Sequence, residues 1–419
     1  MLPPPPNNQI QVPIMKLGHK LSLPKISSKT PLAWCQLSHK KVRLAVATTG
    51  IAFANILMFT QLGFLSVLTK STTQIQENLT GDLLLISASN KSLQIRTSFP
   101  NTYLYQAEAI DGVASASPVY LSWGRWVNPE SLSPRNISNK PPSFDFVRII
   151  AFNPSQPPVL KIPEVNRYTS QLNKPHTVLF DRLSASSLGE IPELLNRNTD
   201  LVTMMSNHRT NIVGAFTMGR SFFESGNVIM SDWTYVQHDP RHSLDRVTIG
   251  VIILEPGANL DRVLNRLRKT LPEDVAVLTH EELIEQEQIY QASQPAGIVL
   301  KFGTIVGFIV GLIILYQVLY ADVSDHLPEY ATLKAIGYSD KYFIYVVLQE
   351  AIILGLIGFL PGFLISLWLY QLLATLTQIQ LIMRSSVVIN VFILSMIMCC
   401  ISGLLATSKL RSADPADVF

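Results

Sequence analysis

The side chains able to do chemistry are few and scattered. His238 and His242 stand four residues apart, a spacing that would put two imidazoles on one helical face for a metal. Pro240 lies between them and argues against such a helix. Cys399 and Cys400 are adjacent and Cys35 is remote, so the cysteines make neither a metal-spaced set nor a disulfide framework. The sequence contains no Gly-x-x-x-x-Gly-Lys-Ser/Thr phosphate cradle, no His-Glu-x-x-His and no Gly-x-Ser-x-Gly. No catalytic residues, no metal site and no cofactor held by this chain are expected. The polar residues that demand a reason are Asn55, Gln61 and Glu350, each set inside a long apolar run. An acid in such a run is costly, and it is either functional or paired across helices. Glu350 follows Tyr342 by eight residues, roughly 12 Å along a helix that rises about 1.5 Å per residue. Interhelical pairing is the favoured reading, and a transport or proton role is the second.

The apolar runs define the elements. Charged residues make up 15% of the 419 residues, against about 25% in ordinary soluble chains. The deficit is local: residues 44–68, 302–321 and 385–408 hold no charge, and 342–370 holds only Glu350. Each run reaches the roughly 20 residues needed to cross a hydrocarbon core of about 30 Å. The expected fold is a membrane protein with four transmembrane α-helices, one then three, and a large α+β domain inserted between helices 1 and 2. A net charge of +3 gives no basic footprint for nucleic acid.

Residues 1–43 contain Lys16, Lys20, Lys25, Lys29, Lys40, Lys41 and Arg43 and no acid. This basic excess marks a cytoplasmic N-terminal segment, and four spans return the 409–419 tail to the same side. A cleaved signal peptide is disfavoured, because signal cores run about 7–15 residues and this run has 25 after a long leader. The expected organisation is a cytoplasmic segment 1–43, helix 1 at 44–68, a periplasmic domain at 69–297, and helix 2 at 298–321. A cytoplasmic loop at 322–341, helix 3 at 342–370, helix 4 at 385–408 and the tail complete it.

The segment 70–297 balances 20 basic against 23 acidic residues, as a folded neutral domain would. Strands are expected at 81–88, 113–127, 144–152, 177–183, 212–219, 246–254 and 275–278, where β-branched and aromatic residues lie between turn formers. Leu260, Val263, Leu264 and Leu267 recur at helical spacing. Thr279 and Glu282 open the next helix as a capping box. That helix points at the second span as a stalk kinked at Pro295, and residues 70–81 are expected to extend the first span as its partner.

Gly303, Gly307 and Gly311 repeat every four residues, and Gly358 and Gly362 repeat the spacing on the next span. Small residues so placed let helix backbones approach closely, within one chain or across a dimer. Between spans two and three, Leu333 and Ile336 offer an apolar side of a short helix and Glu329 and Lys334 a polar one. Gly337 would be its C-cap.

That loop, Glu329-x-Ala331-x-Leu333-Lys334-Ala335-Ile336-Gly337, resembles the signature after the second span of the MacB/FtsX-type ABC transporter permeases. The tail Lys409-Leu410-Arg411-Ser412-Ala413-Asp414-Pro415-Ala416 resembles their closing motif, and the topology is theirs. Pro31-Leu-Ala-Trp34, Gly50-Ile-Ala-Phe53, Gln61-Leu-Gly63-Phe64, Gly81-Asp82 and Ser98-Phe99-Pro100 are similar to the DevC family of cyanobacterial heterocyst glycolipid exporters. The resemblance implies a homodimeric inner (plasma) membrane permease. Its partners would be a separate ABC ATPase that uses ATP and Mg, a periplasmic adaptor (membrane fusion) protein and an outer-membrane TolC-like channel. It implies mechanotransmission: the ATPase pushes the 326–341 segment, the stalks move the periplasmic domain, and a glycolipid-like substrate is expelled. Glu329, Ala331, Leu333, Lys334, Ala335 and Gly337 would contact the ATPase. Asp322 and Asp325 depart from the basic cluster that many relatives carry there. The alternative is an FtsX-like regulator of a periplasmic partner that transports nothing.

Overall fold

The structure, a computed structural model, describes residues 41–132, 144–197, 201–377 and 381–412. The leader with Cys35 and Pro31–Trp34, and the tail beyond Ser412, lie outside the described residues. In chain order, α1 (Lys41–Ser71) and α2 (Gln74–Asn78) lead into an inserted domain. That domain closes with α3 (Leu260–Thr270) and α4 (His280–Ser293). Then follow α5 (Pro295–Asp325), α6 (Leu327–Ala335), α7 (Asp340–Thr377) and α8 (Ser385–Ser412). Four of these, α1, α5, α7 and α8, are long and apolar enough to cross a membrane. At about 1.5 Å per residue, the 31 residues of α1 and of α5 exceed a hydrocarbon core.

Helix α1 is the centre of the bundle, with Ala47, Ile51, Ala54, Met58 and Phe59 fully buried. The glycines explain how its neighbours come so close. A Cβ on Gly307 would meet Leu57 and Met58, and one on Gly311 would meet Ala54 of α1 and Met398 of α8. On the other side, Gly358 lies against Ile51, and Gly362 against Ala52 and Asn55. Both glycine series therefore face α1 within one chain, leaving Ile298, Phe302, Ile305, Ile309 and Ile313 of α5 exposed as a membrane-type apolar stripe.

The inserted domain is built on a nine-stranded mixed sheet. Its strands are β1 (Leu83–Ser87), β3 (Val113–Val127), β4 (Phe144–Phe152), β5 (Thr177–Asp181), β6 (Leu201–Met205), β7 (His208–Phe216), β8 (Gly226–Ser231), β10 (Ile249–Leu254) and β11 (Val275–Leu278). The order is β11-β1-β10-β3-β4-β8-β5-β7-β6, and β2 (Phe99–Pro100) pairs separately with β9 (Arg246–Val247). The β4–β8 and β5–β7 pairs are parallel and the others antiparallel. Strand alternation splits the core in two. Leu83, Leu85, Val147 and Ile149 join Val263, Leu264 and Leu267 of α3 on one face. Leu84, Ile86, Ile150 and Phe152 meet Ile75 of α2 and Leu283 of α4 on the other.

Four expectations change. Leu260 is 37% exposed, so the buried side of α3 begins at Val263. The first stalk is not a continuation of α1: the helix stops at Ser71 and a turn at Thr72–Thr73 precedes α2. The second breaks fully at Gln294, whose extended backbone (ψ 159°) separates α4 from α5, where Pro295 occupies the first turn. Strands β6 and β8 arise where none was expected.

Candidate functional site

The membrane helices meet the domain through a buried polar network on the sheet face that receives α2 and α4. Arg148 of β4 and Glu224 are each only 1% exposed as side chains. Arg148 Nε donates to Glu224 Oε1 at 2.9 Å, and Nη2 pairs with the same oxygen. Nη1 donates to the Leu93 carbonyl at 3.0 Å, and the guanidinium lies 4.2 Å from the Trp123 ring centre. Trp123 Nε1 also donates to Glu224, at 3.0 Å. Burial pulls the Arg148 pKa down, opposed by Glu224. Ser221 hydrogen-bonds Glu224, and the neighbouring Phe222 N–H donates to Ser71 Oγ at the end of α1, 3.1 Å away.

The second half hangs from Glu287 of α4, which is 1% exposed. It accepts from Ser92 Oγ (2.6 Å), Leu93 N (2.8 Å), Gln291 Nε2 (2.9 Å) and Gln76 Nε2 of α2 (3.3 Å). Burial raises its pKa, and these donors favour the charged form against that push. Residues 92–94 thus bridge Glu287 to Arg148, so both helical stalks are pinned to one sheet face. These groups are buried and hydrogen-bonded to one another, with Gln76 Oε1 left without a partner among the described residues.

At the opposite end of the bundle, Arg43 forks onto α5, with Nη1 2.7 Å from Asp322 Oδ1 and Nη2 2.7 Å from Asp325 Oδ2. Asp322 and Asp325 therefore clamp α1 to α5. Just beyond, α6 seats Tyr330 and Ala331 inward, with Tyr330 ring-to-ring on Phe343 at 5.3 Å. Glu329 bonds His326, Lys334 lies 3.2 Å from Asp340, and Leu333 is half-buried. Ile336 is 71% exposed. Ile336 thus faces outward while Leu333 is partly covered, and the tyrosine and alanine carry the packing. Gly337 has φ +109°, with Gly337 N bonded to Lys334 O and Tyr338 N to Leu333 O, the pattern of a Schellman cap. Ala335 belongs to the same helix.

The intramembrane polar residues do not converge. Asn55 is fully buried against Gly362, its amide without a hydrogen-bond partner among the described residues. Gln61 faces Gly303 on α5, and Glu350 is buried on α7 at 1% exposure. The histidines also separate. His242 stacks on Tyr235 with ring centres 3.8 Å apart, whereas His238 lies among His176 and His208. No group of three His, Cys, Asp or Glu able to hold a metal occurs among the described residues. Both His238 nitrogens are engaged, by Thr210 Oγ1 (3.0 Å) and the Thr234 carbonyl (2.9 Å).

Burial lowers the His238 pKa from 6.5 to about 4. An unfolded histidine binds a proton near pH 6.5 and the folded one only near 4, so stability is full above 6.5 and falls as pH drops toward 4. Thermal unfolding of the full chain in detergent should show about 2–3 kcal/mol of such loss, and His238→Gln should flatten the profile. An unchanged slope in that variant would refute the assignment.

The network residues were not among the expected site residues, yet one signal was present. Arg148 interrupts Phe-Val-Arg-Ile-Ile in a strand whose both faces are apolar, and such a charge needs a buried partner.

Four apolar helices, three of them contiguous after a domain inserted behind the first, define a polytopic membrane protein. Residues 301–415 match the FtsX-like permease C-terminal family model. A segment of 114 residues is 26% identical to an ABC transporter permease protein of Mycobacterium tuberculosis, covering 27% of this chain and 13% of that protein's length. Residues 301–415 thus carry an FtsX-like permease C-terminal domain, and the chain spans about an eighth of the length of the ABC transporter permease that it matches. Among solved structures, the periplasmic region of MacB from Actinobacillus actinomycetemcomitans aligns at 11% identity and TM-score 0.32. It covers 54% of this chain and 99% of that one. The extracellular domain of the noncanonic ABC-type transporter YknZ from Gram-positive bacteria aligns at 11% identity and TM-score 0.28, covering 47% and 99%.

Proposed function

We propose that this chain is the permease subunit of a tripartite ABC exporter. A separate ATPase moves the inserted domain, which expels a lipid-like substrate, a glycolipid, through an adaptor and an outer-membrane TolC-like channel. The permease works as a homodimer in the inner membrane, with both termini cytoplasmic. The observation that carries this reading is α6: a capped helix wedged at the base of α5 and α7 that leaves Ile336, Tyr338 and Glu329 exposed. A push on that helix is delivered to α5, which Arg43 bolts to α1; α1 meets the network through Ser71, and α5 follows α4, which carries Glu287, after the break at Gln294. The bundle's core is mainly apolar, with Asn55 and Glu350 buried apart from each other, which suits force transmission better than a polar conduit.

Ile336→Asp tests it without touching the core. Co-purification of the ATPase with this variant should weaken about 30-fold, the loss of a contact of roughly 2 kcal/mol, while the permease remains folded. Undiminished ATPase capture would overturn the role of α6. A complex that keeps ATPase coupling but moves no lipid in reconstituted vesicles would identify the FtsX-like regulator instead.

A further inference from the structure

Where α1 enters the inserted domain, a cavity of about 320 Å³ is lined by Lys70, Arg182, Arg220 and Arg384, together with Ser66 and Ser184. No Asp or Glu lines it. Lys70 is paired with Glu77, and Arg220 feels Asp145, so Arg182 and Arg384 supply the positive excess. They come from different parts of the fold: Arg182 follows β5, and Arg384 immediately precedes the membrane helix α8.

The wall is built around a buried carboxylate. Asp181, fully buried, accepts from Leu183 N (3.1 Å), Met218 N (3.2 Å), Gly219 N (2.8 Å) and Asn227 Nδ2 (2.8 Å). These bonds lock the 182–184 and 218–220 loops together and fix where Arg182 and Arg220 emerge. Gly219, at φ +101°, lets the loop pass close to Gln74, where a Cβ would come within 2.9 Å of Nε2.

A second cavity, about 560 Å³, shares Ser66, Lys70 and Arg384 with the first. Leu62, Leu65, Ile289 and Val387 give it apolar walls along α1 and α8, and Lys301 adds a further cation. A basic chamber at the end of a membrane helix, sharing a wall with a cavity that sets Leu62, Leu65, Ile289 and Val387 among polar residues beside that helix, has the shape and charge of a lipid site. Basic residues at a membrane boundary attract anionic headgroups.

We propose that these paired cavities bind one anionic lipid, its phosphate-type headgroup held by Arg182, Arg384 and Lys70 and its acyl chains along α1 and α8. The site needs neither the ATPase nor export, so it stands or falls apart from the function proposed above.

The test uses the purified full chain in phosphatidylcholine nanodiscs, read by native mass spectrometry. The probes are short-chain phosphatidylglycerol, short-chain phosphatidylcholine and inorganic phosphate. Phosphatidylglycerol should bind in preference to phosphatidylcholine, and Arg182→Gln with Arg384→Gln should weaken it about 30-fold, as expected for two basic contacts at a membrane surface. Arg262→Gln with Lys269→Gln, an equal charge change on exposed positions of α3 outside both cavities, should leave binding unchanged. Equal binding of the two lipids, or full retention in the Arg182/Arg384 variant, would overturn the proposal. Displacement of the lipid by equimolar phosphate would make this a free-anion site and overturn the lipid assignment.

Discussion

Arg148→Met should destabilise the folded chain by about 3–5 kcal/mol, the usual loss when one partner of a buried ion pair is removed. The methionine fills much of the volume, so the loss reports the stranded Glu224 carboxylate, buried with no cation and with Trp123 and Ser221 left as its donors. Arg148→Met with Glu224→Gln should recover a large part of it, because the uncompensated charge is gone. Denaturant unfolding of the detergent-solubilised chain measures both. A single variant within about 1 kcal/mol of the parent, an ordinary surface value, would show that the network is not a structural joint. Under the proposed function the same variant separates two events. ATPase capture at α6 should persist, while movement of lipid falls because α4 is no longer tied to β4 through residues 92–94.

Gly362→Leu carries the second large effect. A Cβ at that position lies 2.9 Å from Asn55 Cβ, 3.0 Å from the Ala52 carbonyl oxygen and 3.2 Å from Ala52 Cα. These are backbone and near-backbone atoms of α1, so no rotamer change relieves the clash and the two helices must separate. Overpacking of this kind costs about 1–3 kcal/mol and sometimes more, and the upper part of that range is expected. Gly303→Ala makes an internal control, because its nearest neighbours are the terminal atoms of the Gln61 side chain, which can swing away. Thermal unfolding should fall sharply for Gly362→Leu and little for Gly303→Ala. If Gly362→Leu changed only the oligomeric state and left unfolding untouched, the glycine would belong to an interface between chains instead of the α1–α7 contact.

The signals that read correctly from the sequence were those set by neighbours in the chain. Thr279 and Glu282 form their capping box within one turn of α4. Gly337 ends α6 because a positive φ is needed at that one residue. Strands such as β1 and β4 carried apolar runs long enough to be read locally, whereas Gly226–Ser231 has only the three-residue run Val228–Met230, although it sits near the middle of the sheet. The stalk was misread for a related reason. Apolar periodicity runs on past Ser71, but the Ser-Thr-Thr stretch there turns back its hydroxyls onto carbonyls of the preceding turn, and the helix stops.

What no local signal contained is who pairs with whom. Arg148 and Glu224 are 76 residues apart, Ser92 and Glu287 are 195 apart, and Arg43 and Asp322 are 279 apart. By itself the sequence determined that the chain has four apolar helices and one inserted domain, since transfer from water depends on each segment's own composition. It also determined that small residues line the close helix faces, without saying which helix they face. Only the tertiary structure decided that α1 is that helix, that both stalks lock onto one sheet face, and that cations from three regions gather at one cavity. The physical reason is range: helix capping and hydrophobic transfer act within a turn or a segment, whereas a buried charge finds its partner only where the folded backbone brings it.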